Sequence, residues 1–173
     1  MNKKNKITAM CKRNLSGKLF AIASNENTDR MGDSILLNGW QLGNFKKNPV
    51  LLFAHKYNEA PIGVVRNLKI EDKNLTFEPE FHQITELARE VGKMYDSGIM
   101  NAFSVGFIPL KFNDKDKKII EKSELLEISA VPVPAHAEAL VVRALEVDAR
   151  MEYQKEKKRK LIISALNKML KRI

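Results

Sequence analysis

His55, His82 and His136 are the only histidines in the chain, so proton transfer near neutral pH has to be sought first among them. No two of them lie three to five residues apart, and the single cysteine, Cys11, sits in a different segment. That spacing does not favour a metal site. One cysteine also excludes an internal disulfide, and Cys11 is expected to be a bystander. Taken alone, each histidine is more often satisfied or merely exposed than catalytic. Hydrolysis by a side-chain nucleophile needs a hydroxyl, a base that removes its proton, and a third group that holds the base in one tautomer.

Ser104 offers the hydroxyl. In Phe103-Ser104-Val105-Gly106-Phe107 bulky residues alternate with small ones, so an extended segment has one crowded face and one nearly bare face. Phe103, Val105 and Phe107 are expected to enter the core, leaving Ser104 and Gly106 where a substrate backbone could approach closely. A serine that is simply small on a crowded sheet fits the same pattern. The segment is not a Gly-x-Ser-x-Gly elbow, so an α/β-hydrolase is not supported. Glu127 lies inside the apolar run Leu125–Val131. Alternation places Leu126, Ile128 and Ala130 on one face and Glu127, Ser129 and Val131 on the other. Glu127 then either faces solvent or is buried beside an imidazole, whose positive charge it would stabilise.

Strands are needed to present these groups. Lys18–Ser24 alternates as a first strand, and Asn25–Asp33 is polar, with Gly32 supplying a positive φ at a turn. Asn44–Pro49 reads as a loop leading into an apolar strand, Val50–His55, whose polar end is His55. Gly63–Glu71 and Leu75–Phe81 form a hairpin across Asp72-Lys73-Asn74, with Pro79 marking the second strand as an edge. Thr85 is placed to cap a helix with Leu87, Val91 and Met94 on its apolar stripe, ending at Ser97-Gly98. Strands follow at Ala102–Leu110 and Glu124–Val131, the latter closed by Pro132 and Pro134, with His136 starting a short helical turn. From Ala144 the pattern turns helical, with Ile162, Leu166, Met169 and Ile173 along one face and basic residues opposite.

Composition divides the chain into a basic segment 1–18, a domain 19–143 and a basic helical extension 144–173. The formal charge is +9. Residues 1–18 carry +6 and residues 151–173 carry +6, which leaves −3 for 19–150. The positive charge therefore belongs to the flanks, and their one aromatic, Tyr153, gives no basic-aromatic stripe for specific nucleic-acid binding. No run of 18 apolar residues spans a bilayer and no signal-length apolar run follows the N-terminus, so an intracellular protein with no membrane partner is expected.

Taken in order, several segments carry a family resemblance: Thr28-Asp29-Arg30-Met31-Gly32-Asp33, Asn44 to His55, Pro61-Ile62-Gly63, Phe103 to Phe107, and Leu125 to Ala135. Over roughly Leu19 to Arg143 the chain resembles the prohead maturation serine proteases of tailed bacteriophages. The resemblance implies an α+β, mainly β fold: a closed or nearly closed antiparallel barrel flanked by helices, similar to the herpesvirus assembly protease. It implies an endopeptidase that works without metal or organic cofactor. Its substrates would be the scaffold and the major capsid protein, often also the protease itself. It would act in the host cytoplasm, inside the prohead, with association as a homodimer a reasonable expectation. His55 and Ser104 map onto base and nucleophile. The third residue is histidine in the herpesvirus relatives, whereas Glu127 stands at the matching position here, with His136 as competitor and His82 a weaker one. The oxyanion hole is open between backbone N–H groups near Gly106 and Arg143. The same barrel acting as an inactive capsid-assembly module is the alternative.

Overall fold

The computed structural model describes residues 19–141 and Arg159. The basic segment 1–18, Arg143 and, apart from Arg159, the extension 144–173, for which an amphipathic helix is expected, lie outside the described residues. Within them the strands are β1 (Ala21–Asn25), β2 (Ser34–Ile35), β3 (Trp40–Gln41), β4 (Val50–Phe53), β5 (Gly63–Glu71), β6 (Asn74–Phe81), β7 (Ala102–Phe112) and β8 (Ile119–Val131). Two helices, α1 (Gly43–Lys47) and α2 (Glu86–Ser97), complete the set with a 3-10 turn at Leu37–Gly39. The expected loop at 44–49 is therefore largely the single turn of α1.

The thirteen residues of β8 organise the sheet. One side of β8 pairs antiparallel with β7, and the other side takes β2, β3 and β4 in succession, all parallel. From β4 the order continues through β5 and β6 to β1. The remaining gap between β1 and β7 is bridged by 139–141: Ile22 N–H donates to Leu140 O, Phe103 N–H to Ala139 O, and Val141 N–H to Asn101 O. The sheet thus curls into a nearly closed barrel, and bridging satisfies backbone groups that an open edge would leave unpaired.

The barrel is filled by Ala21, Leu51, Leu75, Phe77, Phe103, Leu125 and Ile128, each 1% exposed or less. Phe103 meets Phe77 edge-on at 4.9 Å and stacks on Tyr95 of α2 at 4.8 Å. Tyr95 also donates its hydroxyl to Ala102 O, so α2 is pinned to the start of β7. Helix α2 begins as expected, with Thr85 Oγ1 accepting from Ala88 N–H, and ends at Gly98 with φ of +77°. Its buried stripe is Ala88, Val91, Gly92 and Tyr95, the i, i+3, i+4, i+7 set, while Met94 is partly exposed. Small residues and a tyrosine hid that stripe from a reading that counted only large aliphatics.

Two further expectations are refined. The hairpin β5–β6 turns on Asp72 and Lys73 alone, both at positive φ, the pattern of a tight two-residue turn. Strand β6 is not an outer strand of the sheet, since it lies between β1 and β5. Pro79 is tolerated because the pairing with β1 ends at Phe77, so beyond that point β6 has no ladder partner on its second side.

Candidate active site

The base candidate stands on a strained turn. Strand β4 ends at Phe53, and Lys56 N–H returns to Phe53 O across Ala54 and His55, whose φ angles are +53° and +58°. His55 is therefore in the turn after the strand rather than at its last position. Positive φ at a non-glycine residue is uncommon and costs free energy, so surrounding bonds must hold the turn. Two do: Ala54 N–H donates to Ala130 O and His55 N–H donates to Ser129 Oγ, both on β8.

Strand β8 supplies the carboxylate. Its alternation is broken by a bulge, since Gly106 pairs with Glu127 but Phe107 pairs with Leu125, leaving Leu126 as the extra residue. The core face is consequently Leu125 and Ile128, and Leu126 is partly exposed, against the regular alternation expected from sequence. Glu127 and Ser129 share the other face, and both are buried, Glu127 at 1% exposed. Glu127 Oε1 lies 2.7 Å from His55 Nδ1, and Oε2 accepts from Ser129 Oγ at 2.6 Å. A buried carboxylate with both oxygens bonded is satisfied. Of the two sequence readings, burial beside an imidazole is the one the structure shows. The hydrogen bond that Nδ1–H donates to Glu127, together with the carboxylate's charge, raises the His55 pKa above 6.5 against the opposing effect of burial.

Ser104 lies on β7, directly opposite Ser129. Opposed residues in an antiparallel pair point to the same face, so Ser104 and Gly106 share a face with Ser129 and Glu127. Phe103 enters the core, and Val105 and Phe107 pack against it, as the alternation predicts. At Gly106 an added Cβ would lie 2.4 Å from Glu127 Oε1 and 2.5 Å from the Tyr57 hydroxyl. Tyr57 thus arches over the bare position beside the carboxylate, and its own pKa is raised by partial burial and then by the Glu127 charge. Ser104 also lines a narrow cleft of about 30 Å³ with Asn27, Asp33 and His136 among its walls. A larger cleft of about 490 Å³ lies between β6 and α2 and contains none of the three candidate residues.

The other histidines are engaged elsewhere. His136 Nδ1 accepts from Glu138 N–H and its Nε2 bonds Asn27 O, which occupies both nitrogens. His136 sits in a turn rather than a helix. His82 bonds Pro61 O through Nε2 and accepts Ile84 N–H at Nδ1. Among the described residues, no three or more His, Cys, Asp or Glu side chains converge as metal donors, and no helix is long and apolar enough to cross a membrane.

A family model described as caudovirus prohead serine protease matches residues 24–155, a span that includes His55, Ser104 and Glu127. The chain belongs to that family. A prohead protease of Escherichia phage T5 is 30% identical over 129 residues, 70% of this chain and 60% of the relative. A capsid polyprotein of Pseudomonas phage PAJU2 is 30% identical over 139 residues, 75% of this chain and 20% of the polyprotein. The chain therefore spans less than two thirds of the length of either family relative. No solved structure matches it.

Sequence reasoning had not singled out Ser129 or Tyr57. The Glu-x-Ser spacing did place Ser129 on the face of Glu127, but nothing in one sequence indicates that the turn after β4 folds back onto that hydroxyl.

Proposed function

We propose that the chain is a serine endopeptidase of prohead maturation, with Ser104 as nucleophile, His55 as base and Glu127 holding the imidazole. The observation that carries this reading is the 2.7 Å bond between His55 Nδ1 and the buried Glu127, one strand away from Ser104. An imidazole whose Nδ1–H is donated to a carboxylate keeps its lone pair on Nε2. Among the described residues that nitrogen takes no other hydrogen bond, and the His55 side chain is 39% exposed, open to substrate.

In this mechanism Nε2 takes the Ser104 proton as Oγ attacks the peptide carbonyl. Glu127 stabilises the imidazolium, and His55 then protonates the leaving amine. A water deprotonated by the same nitrogen releases the acyl group from Ser104. The major capsid protein and scaffold are the proposed substrates, together with the chain itself. The likeness to part of a capsid polyprotein supports a capsid substrate. The enzyme acts inside the prohead, where confinement raises the effective concentration of protease, capsid protein and a second copy of the chain.

The test is co-expression of the cognate capsid protein with the natural chain or with Ser104→Ala, read by intact mass. Discrete products that appear only with the natural chain are expected, and their masses give the cut sites. Identical, uncut capsid protein in both would overturn the reading and leave an inactive assembly module.

A further inference from the structure

We infer that Ser129 is a positioning residue for this site: its single hydroxyl ties the His55 backbone to the Glu127 carboxylate and so fixes base and orienting group as one unit. The inference rests on the protease reading above. Ser129 is 0% exposed, too enclosed to meet substrate. Its Oγ accepts from His55 N–H at 3.1 Å and donates to Glu127 Oε2 at 2.6 Å. A hydroxyl has one proton to give and lone pairs to receive. With the proton committed to Glu127, the backbone N–H of His55 is left as donor, which is the arrangement found.

The consequence is a closed loop of bonds. His55 Nδ1 meets Oε1 of Glu127, Oε2 meets Ser129 Oγ, and Ser129 Oγ returns to the main chain of His55. The ring and the backbone of one histidine are thereby held by two residues on the same face of β8. This matters because His55 has a φ of +58° and follows Ala54 at +53°. A turn in that conformation relaxes unless it is over-determined, and the side chain moves with it. The second carboxylate bond sets the plane of the carboxyl group, so that Oε1 stays aimed at Nδ1. A catalytic constellation keeps its productive geometry only where packing and supporting hydrogen bonds lock the rotamers of its members.

Ser129 also explains a feature of β7. Its register partner, Ser104, carries the nucleophile on the same face of the sheet. A small side chain at 129 leaves room for Ser104 while reaching the carboxylate on its other side. A larger residue would crowd the nucleophile, and an alanine would leave both Glu127 Oε2 and His55 N–H without their partner.

The experiment uses the full chain and a fluorophosphonate probe, whose rate of attachment to Ser104 is followed by mass spectrometry between pH 5 and pH 9. Thermal unfolding of each variant is recorded alongside. Ser129→Ala is expected to stay folded and to label roughly 10- to 100-fold more slowly. The midpoint of its pH profile should move to lower pH, because a carboxylate no longer held against the imidazole raises His55 less. Glu127 is the titratable group bonded to His55 and Tyr57 feels the charge of the same carboxylate, and neither is altered in this variant. Should Ser129→Ala not fold, Ser129→Thr and Ser129→Val provide the comparison at matched volume. Faster labelling and a higher midpoint in the threonine form are expected, since it alone keeps a hydroxyl.

A folded Ser129→Ala with the natural rate and midpoint would overturn the inference, as would threonine and valine forms that behave alike. Controls with Ser104→Ala and His55→Ala separate the two levels. Where both abolish labelling and Ser129→Ala does not change it, only the positioning role fails. Where the natural chain is not labelled at Ser104, the protease reading fails and the positioning role with it.

Discussion

Gly106 and Glu127 are register partners across β7 and β8, and the glycine's missing side chain is the space that the carboxylate and the Tyr57 hydroxyl occupy. The Cβ of an alanine there would lie 2.4 Å from Glu127 Oε1, the same oxygen that bonds His55 Nδ1. Tyr57 is exposed and free to swing aside, but Glu127 has no room to retreat without giving up His55 or Ser129. Gly106→Ala is therefore expected to slow fluorophosphonate labelling of Ser104 by roughly 100-fold or more, the scale of a lost acid-base contribution. Far-ultraviolet circular dichroism should stay as in the natural chain. A folded alanine variant that labels at the natural rate would show that the carboxylate's position is not needed.

The pH dependence follows from His55. Its pKa in the folded chain is raised above 6.5 by the hydrogen bond and charge of Glu127. In the proposed mechanism His55 takes up a proton only when neutral, so labelling should rise with pH through a midpoint above 6.5 and fall away below it. For stability the sign is reversed. The contribution of the His55–Glu127 pair is fully present below the unfolded value and is lost as pH rises through the higher folded value. Glu127→Gln removes the charge, so the labelling midpoint should drop while the plateau falls by roughly 100- to 10,000-fold. A histidine C2–H titration by NMR locates both midpoints directly. A midpoint in the natural chain at or below 6.5 would contradict the pairing.

Much of this site was legible because strands have a period of two. That period put Phe103 in the core and Ser104 with Gly106 on the other face, and it put Glu127 and Ser129 together. It failed at Leu126, where a bulge shifts the register by one residue, and bulges are made by pairing with a neighbour rather than by local sequence. It was silent on the bond between His55 and Glu127, which joins residues 72 positions apart. The left-handed turn at Ala54-His55 was also invisible, since neither residue favours that conformation and tertiary bonds impose it. The barrel came from resemblance to a family; alternation alone gave strands without their order. Parallel pairing of β2, β3 and β4 along β8 has no sequence signature of its own.

Stability should depend on the aromatic core far more than on helix ends. Phe77 is fully buried and packs edge-on against Phe103 inside the barrel. Phe77→Ala is expected to cost about 3–5 kcal/mol, from lost burial and the cavity left behind. Thr85→Ala removes only the cap bond to Ala88 N–H and should cost about 1 kcal/mol. Urea unfolding of the two variants ranks these values. Equal losses would mean that the barrel core repacks around the missing ring or that α2 carries more of the fold than its contacts indicate.

His136 and Glu127 were both candidates to orient the base, and their bonding separates them. Every polar atom of the His136 ring is already spent on main-chain groups, Asn27 O and Glu138 N–H, at distances of 3.1 and 3.2 Å. The bond to Asn27 O fastens the 132–138 segment to the loop after β1, and Glu138 secures it further by accepting from the side-chain amides of Asn25 and Asn27. Those two bonds hold the Glu138 carboxyl below its ordinary pKa. Removing the ring leaves main-chain partners unmet, so His136→Ala should lower unfolding stability by about 1–3 kcal/mol. The His55 titration midpoint should not move, because none of the groups that shift it is touched. His55→Ala, by contrast, should abolish Ser104 labelling in the proposed mechanism, and it also leaves the buried Glu127 Oε1 without its partner. A His136→Ala chain that stays as stable as the natural one but loses the raised His55 midpoint would return His136 to the role assigned here to Glu127.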